Sequence, residues 1–182
     1  GRYGDNRHPD HVSFTASLYE DLRRRDLTIN AVAFDPLDNT LVDPHDGRGD
    51  LERRVVRTVG DPDTRFSEDA LRMLRAVRFA VTLEFSVDAT AIEAVRRRAS
   101  TITAVAAERI KSELEKMMGA HHPSVGWRML DETGLLPYIV PELTEDRTDD
   151  AIARGVPPVF PHLLASCDCA PAEDPVLRWA AL

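Results

Sequence analysis

Long apolar runs, cysteine pairs and an excess of positive charge are all missing from this 182-residue chain. No stretch approaches the roughly 20 apolar residues that span a bilayer, and no signal peptide is visible, so no membrane partner is expected and a cytoplasmic location is. The two cysteines, Cys167 and Cys169, stand one residue apart. That spacing is wrong for an ordinary structural zinc site and awkward for a disulfide, and reduced thiols are expected. A formal net charge of −8 argues against a generally basic nucleic-acid binder.

What is present is a 43% hydrophobic composition, enough for a buried core in one domain or in pieces of two. The charge is uneven. Residues 1–109 hold 17 arginines against 19 Asp plus Glu, a net of −2, which leaves −6 for the remainder. Basic groups in that first part could line a local RNA path even on an acidic protein.

The stretch Phe66-Ser67-Glu68-Asp69-Ala70-Leu71-Arg72-Met73-Leu74-Arg75-Ala76-Val77-Arg78-Phe79 predicts a helix. Ser67 reads as its N-cap, and Glu68 and Asp69 suit the positive end of the dipole. At about 100° per residue, Arg72, Arg75 and Arg78 spread over roughly a third of the circumference. Ala70, Met73, Leu74, Val77 and Val81 fall on the side to be buried. The plain alternative is a solvated face with an Asp69–Arg72 ion pair. A chemical reading is also open, because a carboxylate and a guanidinium one turn apart present an acceptor beside a fork of donors. Cytosine and adenine both offer an exocyclic amino donor next to a ring-nitrogen acceptor, whereas guanine and uracil offer a carbonyl next to an N–H. Asp69 and Arg72 would therefore admit C and A and reject G and U, whose edges leave buried polar groups unpaired. Arg75 and Arg78 would stay free for phosphates or further base contacts.

Residues 1–9 read as a polar loop, 11–14 as a strand and 17–24 as a short helix. Strands at 31–34 and 40–42 flank turn residues Pro36 and Asn39 and should pair antiparallel. A short helix at 50–54 and an extended piece at 55–59 follow, and Gly60-Asp61-Pro62-Asp63 makes a boundary. Beyond it the chain turns helical: Asp88 caps a helix over 89–98, another covers 103–118, and a further one runs over 123–133 and stops at Gly134. Residues 135–141 read as a turn, 144–158 as an acidic, Pro-rich linker, and a last helical region starts at His162. Trp127 reads as core. The adjacent pair His121 and His122 would point apart on a helix and is assigned nothing.

Three ordered motifs resemble the class II tRNA nucleotidyltransferases (CCA-adding enzymes) and the related bacterial poly(A) polymerases. Glu20-Asp21-Leu22-Arg23-Arg24-Arg25-Asp26-Leu27-Thr28-Ile29-Asn30-Ala31 is similar to the family's RRDxTxNA ribose-recognition motif. Asp43-Pro44-His45-Asp46-Gly47-Arg48-Gly49-Asp50-Leu51 is similar to its DPxxGxxDL hinge, and the helix above to its EDxxRxxRxxRF nucleotide template. The resemblance implies an α+β fold: part of a nucleotidyltransferase head with short antiparallel strands over residues 1–60, a helical neck over 61–119, and a helical body over 120–182. It implies nucleotide contacts from Arg25, Asp26, Asp69, Arg72, Arg75 and Arg78, a hinge at Asp43, Pro44 and Gly47, and ribose or loop contacts from Asn30. The implied reaction adds CCA, or part of it, to the 3′ end of tRNA from CTP and ATP without a nucleic-acid template. Mg²⁺ is the implied cofactor, held by a D-x-D pair that the family carries ahead of these motifs. Residue 1 is Gly, no such pair precedes the motifs in this chain, and a segment of a longer enzyme, inactive alone, is expected. The region from His162 resembles the start of an HD-type phosphohydrolase domain, which would make His162 a metal ligand. Poly(A) addition, a non-catalytic helical RNA-binding module, and a metal-dependent phosphohydrolase around His162 are the competing readings.

Overall fold

The computed structural model describes residues 33–34, 41–43, 45–147 and 159–182. The features expected at 1–9, 11–14 and 17–24, together with Arg23, Arg24, Arg25, Asp26, Asn30, Pro44 and residues 148–158, lie outside them. The chain divides into two compact units, Gly1–Gly49 and Asp50–Leu182.

In the first unit, β1 (Ala33–Phe34) pairs antiparallel with β2 (Leu41–Val42), Ala33 opposite Val42 and Phe34 opposite Leu41. Asp43 ends the second strand, and its carboxylate accepts the amides of Gly47 at 2.7 Å and Arg48 at 2.8 Å. These are orphan donors at the start of α1 (Gly47–Arg53). The helix therefore opens at Gly47 rather than at Asp50, because the aspartate of the expected hinge supplies the cap.

In the second unit, β3 (Val55–Val56) is followed by α2 (Pro62–Glu68), with Asp61 as its N-cap: one carboxylate oxygen accepts both the Thr64 amide and hydroxyl at 2.8 Å. Proline at the first helical position needs no amide partner. The long helix expected from Ser67 is in fact two. Asp69 adopts an extended backbone at φ −152°, and α3 (Leu71–Leu83) starts after it. The Asp69 carboxylate accepts the Leu71 amide at 3.1 Å, which caps the new helix and ends the old one. Ser67 is no cap; its hydroxyl donates back to the Thr64 carbonyl at 2.7 Å within α2.

The buried arc of α3 is wide: Leu71, Met73, Leu74, Ala76, Val77, Arg78, Ala80 and Val81 are all buried. It ends at Glu84 in the left-handed region (φ 56°), and β4 (Ser86–Val87) then pairs parallel with β3, Val55 opposite Ser86. Asp88 caps α4 (Ala89–Arg98) as expected, accepting the Thr90 and Ala91 amides. The helix expected over 103–118 is instead a 3-10 turn, Ala99–Ala104, then α5 (Ala107–Met118). Next come α6 (Pro123–Glu132), which gives way to Gly134 at φ 74°, a short α7 (Leu136–Ile139) in the expected turn, and a 3-10 segment Pro141–Arg147. His121 and His122 precede α6, and their rings meet edge to face at 4.2 Å rather than pointing apart. α8 (Phe160–Cys169) and α9 (Pro175–Ala181) close the described chain. The class is α+β.

The core joins Phe66, Met73, Leu74, Val77, Ile102, Met117, Trp127, Leu130 and Leu164, each worth about 1.5–3 kcal/mol when fully buried. Helices α3, α5 and α6 converge at Gly126, where a Cβ would collide with the Met117 thioether and come within 3.1 Å of Val81 Cγ2, so a larger residue there would push Met117 aside. Arg178 on α9, 2% exposed, donates to the carbonyls of Met118 and Ala120 at 2.5 Å and of Ala170 at 3.1 Å. It thereby ties the last helix to the C-terminal ends of α5 and α8, where carbonyls lack helical partners. Both cysteines are free thiols, Cys167 buried and Cys169 exposed, and burial foremost pushes the Cys167 thiol up.

Candidate nucleotide-selecting site

Helix α3 is enclosed except along one strip. Arg72, Arg75, Phe79 and Thr82 are its partly exposed residues in the middle turns. At about 100° per residue these four fall within roughly 80° of the circumference. The strip begins at the α2–α3 break, where Asp69 lies.

The two side chains expected to read a base do not pair with each other. Arg72 is ion-paired with Glu68 one turn back and donates to the Arg65 carbonyl at 3.0 Å. Asp69 accepts from Arg109 of α5 at 2.8 Å as well as from the Leu71 amide. Burial disfavours the charged form of Asp69. The Arg109 and Leu71 hydrogen bonds, with the positive charges of Arg109 and Arg72, outweigh it and hold the carboxyl below the usual range. Glu68 is likewise lowered, first by Arg72 and then by Arg65. Both acids are therefore ionised at neutral pH. Helix α2, which carries Glu68, is fixed to α4 by Asp63, which pairs with Arg97 and with Arg98 at 2.8 Å.

Arg75 has no ion-pair or hydrogen-bond partner among the described residues, and its guanidinium lies 5.7 Å from the Phe79 ring centroid. Arg78 is a different case. It is 4% exposed, and its Nε donates to Glu113 on α5 at 2.5 Å. Glu113 is itself 7% exposed and also faces Lys116 at 3.6 Å. The expectation that Arg78 stays free for phosphates is corrected on this point. The buried arc of α3 is wider than half the helix, and Arg78 lies at its edge, facing a buried carboxylate of α5.

Of the remaining expected residues, Arg25, Asp26 and Pro44 lie outside the described part, and Asp43 and Gly47 form the α1 cap already described. His162 is exposed on the first turn of α8. Among the described residues no three His, Cys, Asp or Glu side chains are grouped to hold a metal, so these residues do not fit a metal centre. Nor is any helix among them long and apolar enough to cross a membrane.

Glu68 and Phe79 stand in the template motif without an assigned role in the site, and Arg109 and Glu113, which pair with the candidate residues, are not singled out by sequence reasoning. Glu68 had a usable signal, since it lies four residues before Arg72. Arg109 and Glu113 are 40 and 35 residues from their partners, where no local periodicity reaches.

Residues 1–57 match the Poly A polymerase head domain, and residues 84–147 match the probable RNA and SrmB-binding site of polymerase A. The CCA-adding enzyme of Limosilactobacillus reuteri is 45% identical over 136 residues, which are 75% of this chain and 34% of that relative. The crystal structure of the Bacillus stearothermophilus CCA-adding enzyme in complex with CTP superposes with a TM-score of 0.59 at 43% identity, covering 67% of this chain and 31% of that one. A tRNA nucleotidyltransferase complexed with a primer tRNA and an incoming ATP analog gives a TM-score of 0.56 at 29% identity, over 68% of this chain and 37% of that one. The chain spans about a third of the length of the curated relatives it matches. With the three motifs, two family matches and these likenesses in agreement, the chain belongs to the family of CCA-adding enzymes and bacterial poly(A) polymerases.

Proposed function

We propose that this chain is the base-selecting and RNA-facing part of an enzyme that adds CCA, or part of it, to the 3′ end of tRNA, taking CTP and ATP and no nucleic-acid template. The observation that carries this is the pair of opposite charges at the mouth of the open strip, Asp69 and Arg72, each held by a solvent-accessible partner. Exposed ion pairs contribute about 0–1 kcal/mol each, so exchanging Glu68 and Arg109 for the edge of a base costs little. Arg72 then donates to the ring nitrogen of C or A, and Asp69 accepts from the exocyclic amino group. G or U leaves both unsatisfied, at about 1–3 kcal/mol per buried group.

Arg75, which has no ionic partner among the described residues, is assigned to the triphosphate; Arg25 and Asp26 are assigned to triphosphate and ribose by resemblance. Arg78 becomes a positioning residue, its buried pair with Glu113 setting the rotation of α3 against α5. Asp43, Pro44 and Gly47 are the proposed hinge that lets one pocket take C and then A. Head, neck and body are placed at residues 1–60, 61–119 and 120–182, and Mg²⁺ and a cytoplasmic location are proposed for the complete enzyme. The described residues offer that cation no shell, and His162 stays a candidate ligand only if an HD pair follows it.

Poly(A) addition within the same family is the second reading, favoured by the polymerase descriptions of both matched regions. The test is nucleotide addition by the full-length enzyme carrying this chain to tRNA lacking its terminal CCA. Our reading expects C twice, then one A, then arrest. Long A tracts without C would put the poly(A) reading in its place, and no addition of either would remove both.

A further inference from the structure

Phe79 is out of place for a structural residue. It belongs neither to the apolar core nor to the partly buried apolar side chains packed against it, although it sits on the helix at the centre of that core. Among the described residues its ring contacts are cationic: the Arg78 guanidinium lies 4.1 Å from the ring centroid and the Arg75 guanidinium 5.7 Å from it. Arg78 is locked by Glu113, so one of these contacts is fixed, whereas Arg75 has no ionic partner among the described residues. An aromatic ring flanked by guanidinium groups, on the accessible strip of a helix, is the combination on which unpaired nucleobases stack.

The geometry points to the Phe79 ring as a stacking ledge for a nucleobase of the unpaired 3′ end of the RNA acceptor, separate from the place where the incoming nucleotide is read. Phe79 lies seven residues beyond Arg72, about 10 Å along the helix axis. A base whose edge is held by Asp69 and Arg72 cannot also cover that ring. The strand's end therefore lies along α3, with a stacked base on the ring and the incoming base at the N-terminal end. The inference rests on the nucleotidyl-transfer reading above and adds the subsite for the second substrate.

The test uses the full-length enzyme carrying this chain, with an RNA hairpin ending in three unpaired nucleotides, 2-aminopurine replacing each in turn, and with CTP alone in a separate titration. Stacking platforms of this kind are worth about 5- to 150-fold per base. Phe79→Leu is expected to weaken hairpin binding at least fivefold and to abolish the 2-aminopurine quenching at one position, while CTP affinity changes less than twofold. Phe79→Tyr should restore both readouts, which a loss of folding would not permit. Hairpin binding within twofold of the parent in Phe79→Leu overturns the ledge and leaves the nucleotide reading standing. An equal loss for CTP and hairpin also overturns it, placing the ring in the nucleotide site. A full-length parent enzyme that binds CTP but no hairpin removes the ledge alone, and one that binds neither removes the nucleotidyl-transfer reading with it.

Discussion

Two arginines on the same helix, two turns apart, do opposite work. Arg72 sits at the open end of α3 with 41% of its side chain exposed, paired to a Glu68 that is equally exposed. Arg78 is paired to Glu113 with 5% and 9% of the two side chains exposed. The first pair is cheap to open and thus suited to exchange partners with a ligand. The second is expensive to open and suited to hold a helix still. Charge spacing alone gives both arginines the same reading, and burial separates them.

The largest effect that would sharpen this contrast is on stability. Glu113→Ala leaves Arg78 buried without its carboxylate and should cost about 3–5 kcal/mol in urea unfolding. Arg78→Met combined with Glu113→Leu should recover most of it. A single-variant cost below about 1 kcal/mol would mean that the pair behaves like a surface one. Next in size, Arg75→Ala should raise the apparent Michaelis constant for nucleotide by about tenfold in the full-length enzyme, the loss of one charge-assisted contact of about 1.5 kcal/mol. A change in RNA affinity alone would move Arg75 to the acceptor strand.

The smallest effect concerns acid. Asp63, Glu68 and Asp69 have carboxyls held below their ordinary values, Asp63 chiefly by its Arg97 hydrogen bond. A lowered folded-state pKa stabilises above the unfolded value, near 4, and that contribution fades as pH falls through the folded value. The urea midpoint should therefore be level from pH 7 to about 5 and decline below about 4. Asp63→Asn should make the decline shallower. An unchanged midpoint down to pH 2.5 would show that these pairs contribute nothing in solution.

Much of the fold follows local rules and was legible in the sequence. Asp88 before an apolar-periodic run caps α4, Gly134 follows α6 at a positive φ, Trp127 is core, and Met73, Leu74, Val77 and Val81 line the inner face of α3. β1 and β2 pair antiparallel, as the sequence of the segment between them predicts. The misreadings have a common cause, a side chain competing with the backbone or with a distant partner. Asp69 takes the Leu71 amide and so splits one expected helix into two, and Asp43 takes the Gly47 amide and starts another three residues early. The parallel pairing of Val55–Val56 with Ser86–Val87 joins segments about thirty residues apart, and the Arg109–Asp69 and Arg78–Glu113 pairs span similar distances. Pattern within a turn or two of helix carries no information at that range. The candidate site was thus readable as a set of residue types, while the division of its arginines into exchangeable and fixed needed the packing.

The idea that opposite charges at the mouth of α3 choose the base is most directly exposed by replacing both at once. Asp69→Ala with Arg72→Ala, in the full-length enzyme, should bring incorporation of G and U within about tenfold of C and A, while tRNA affinity stays within twofold, since one lost discriminating contact is worth about 1–3 kcal/mol. If all four nucleotides are lost in equal proportion and the preference for C and A survives, the two side chains serve the fold, and base choice is made elsewhere.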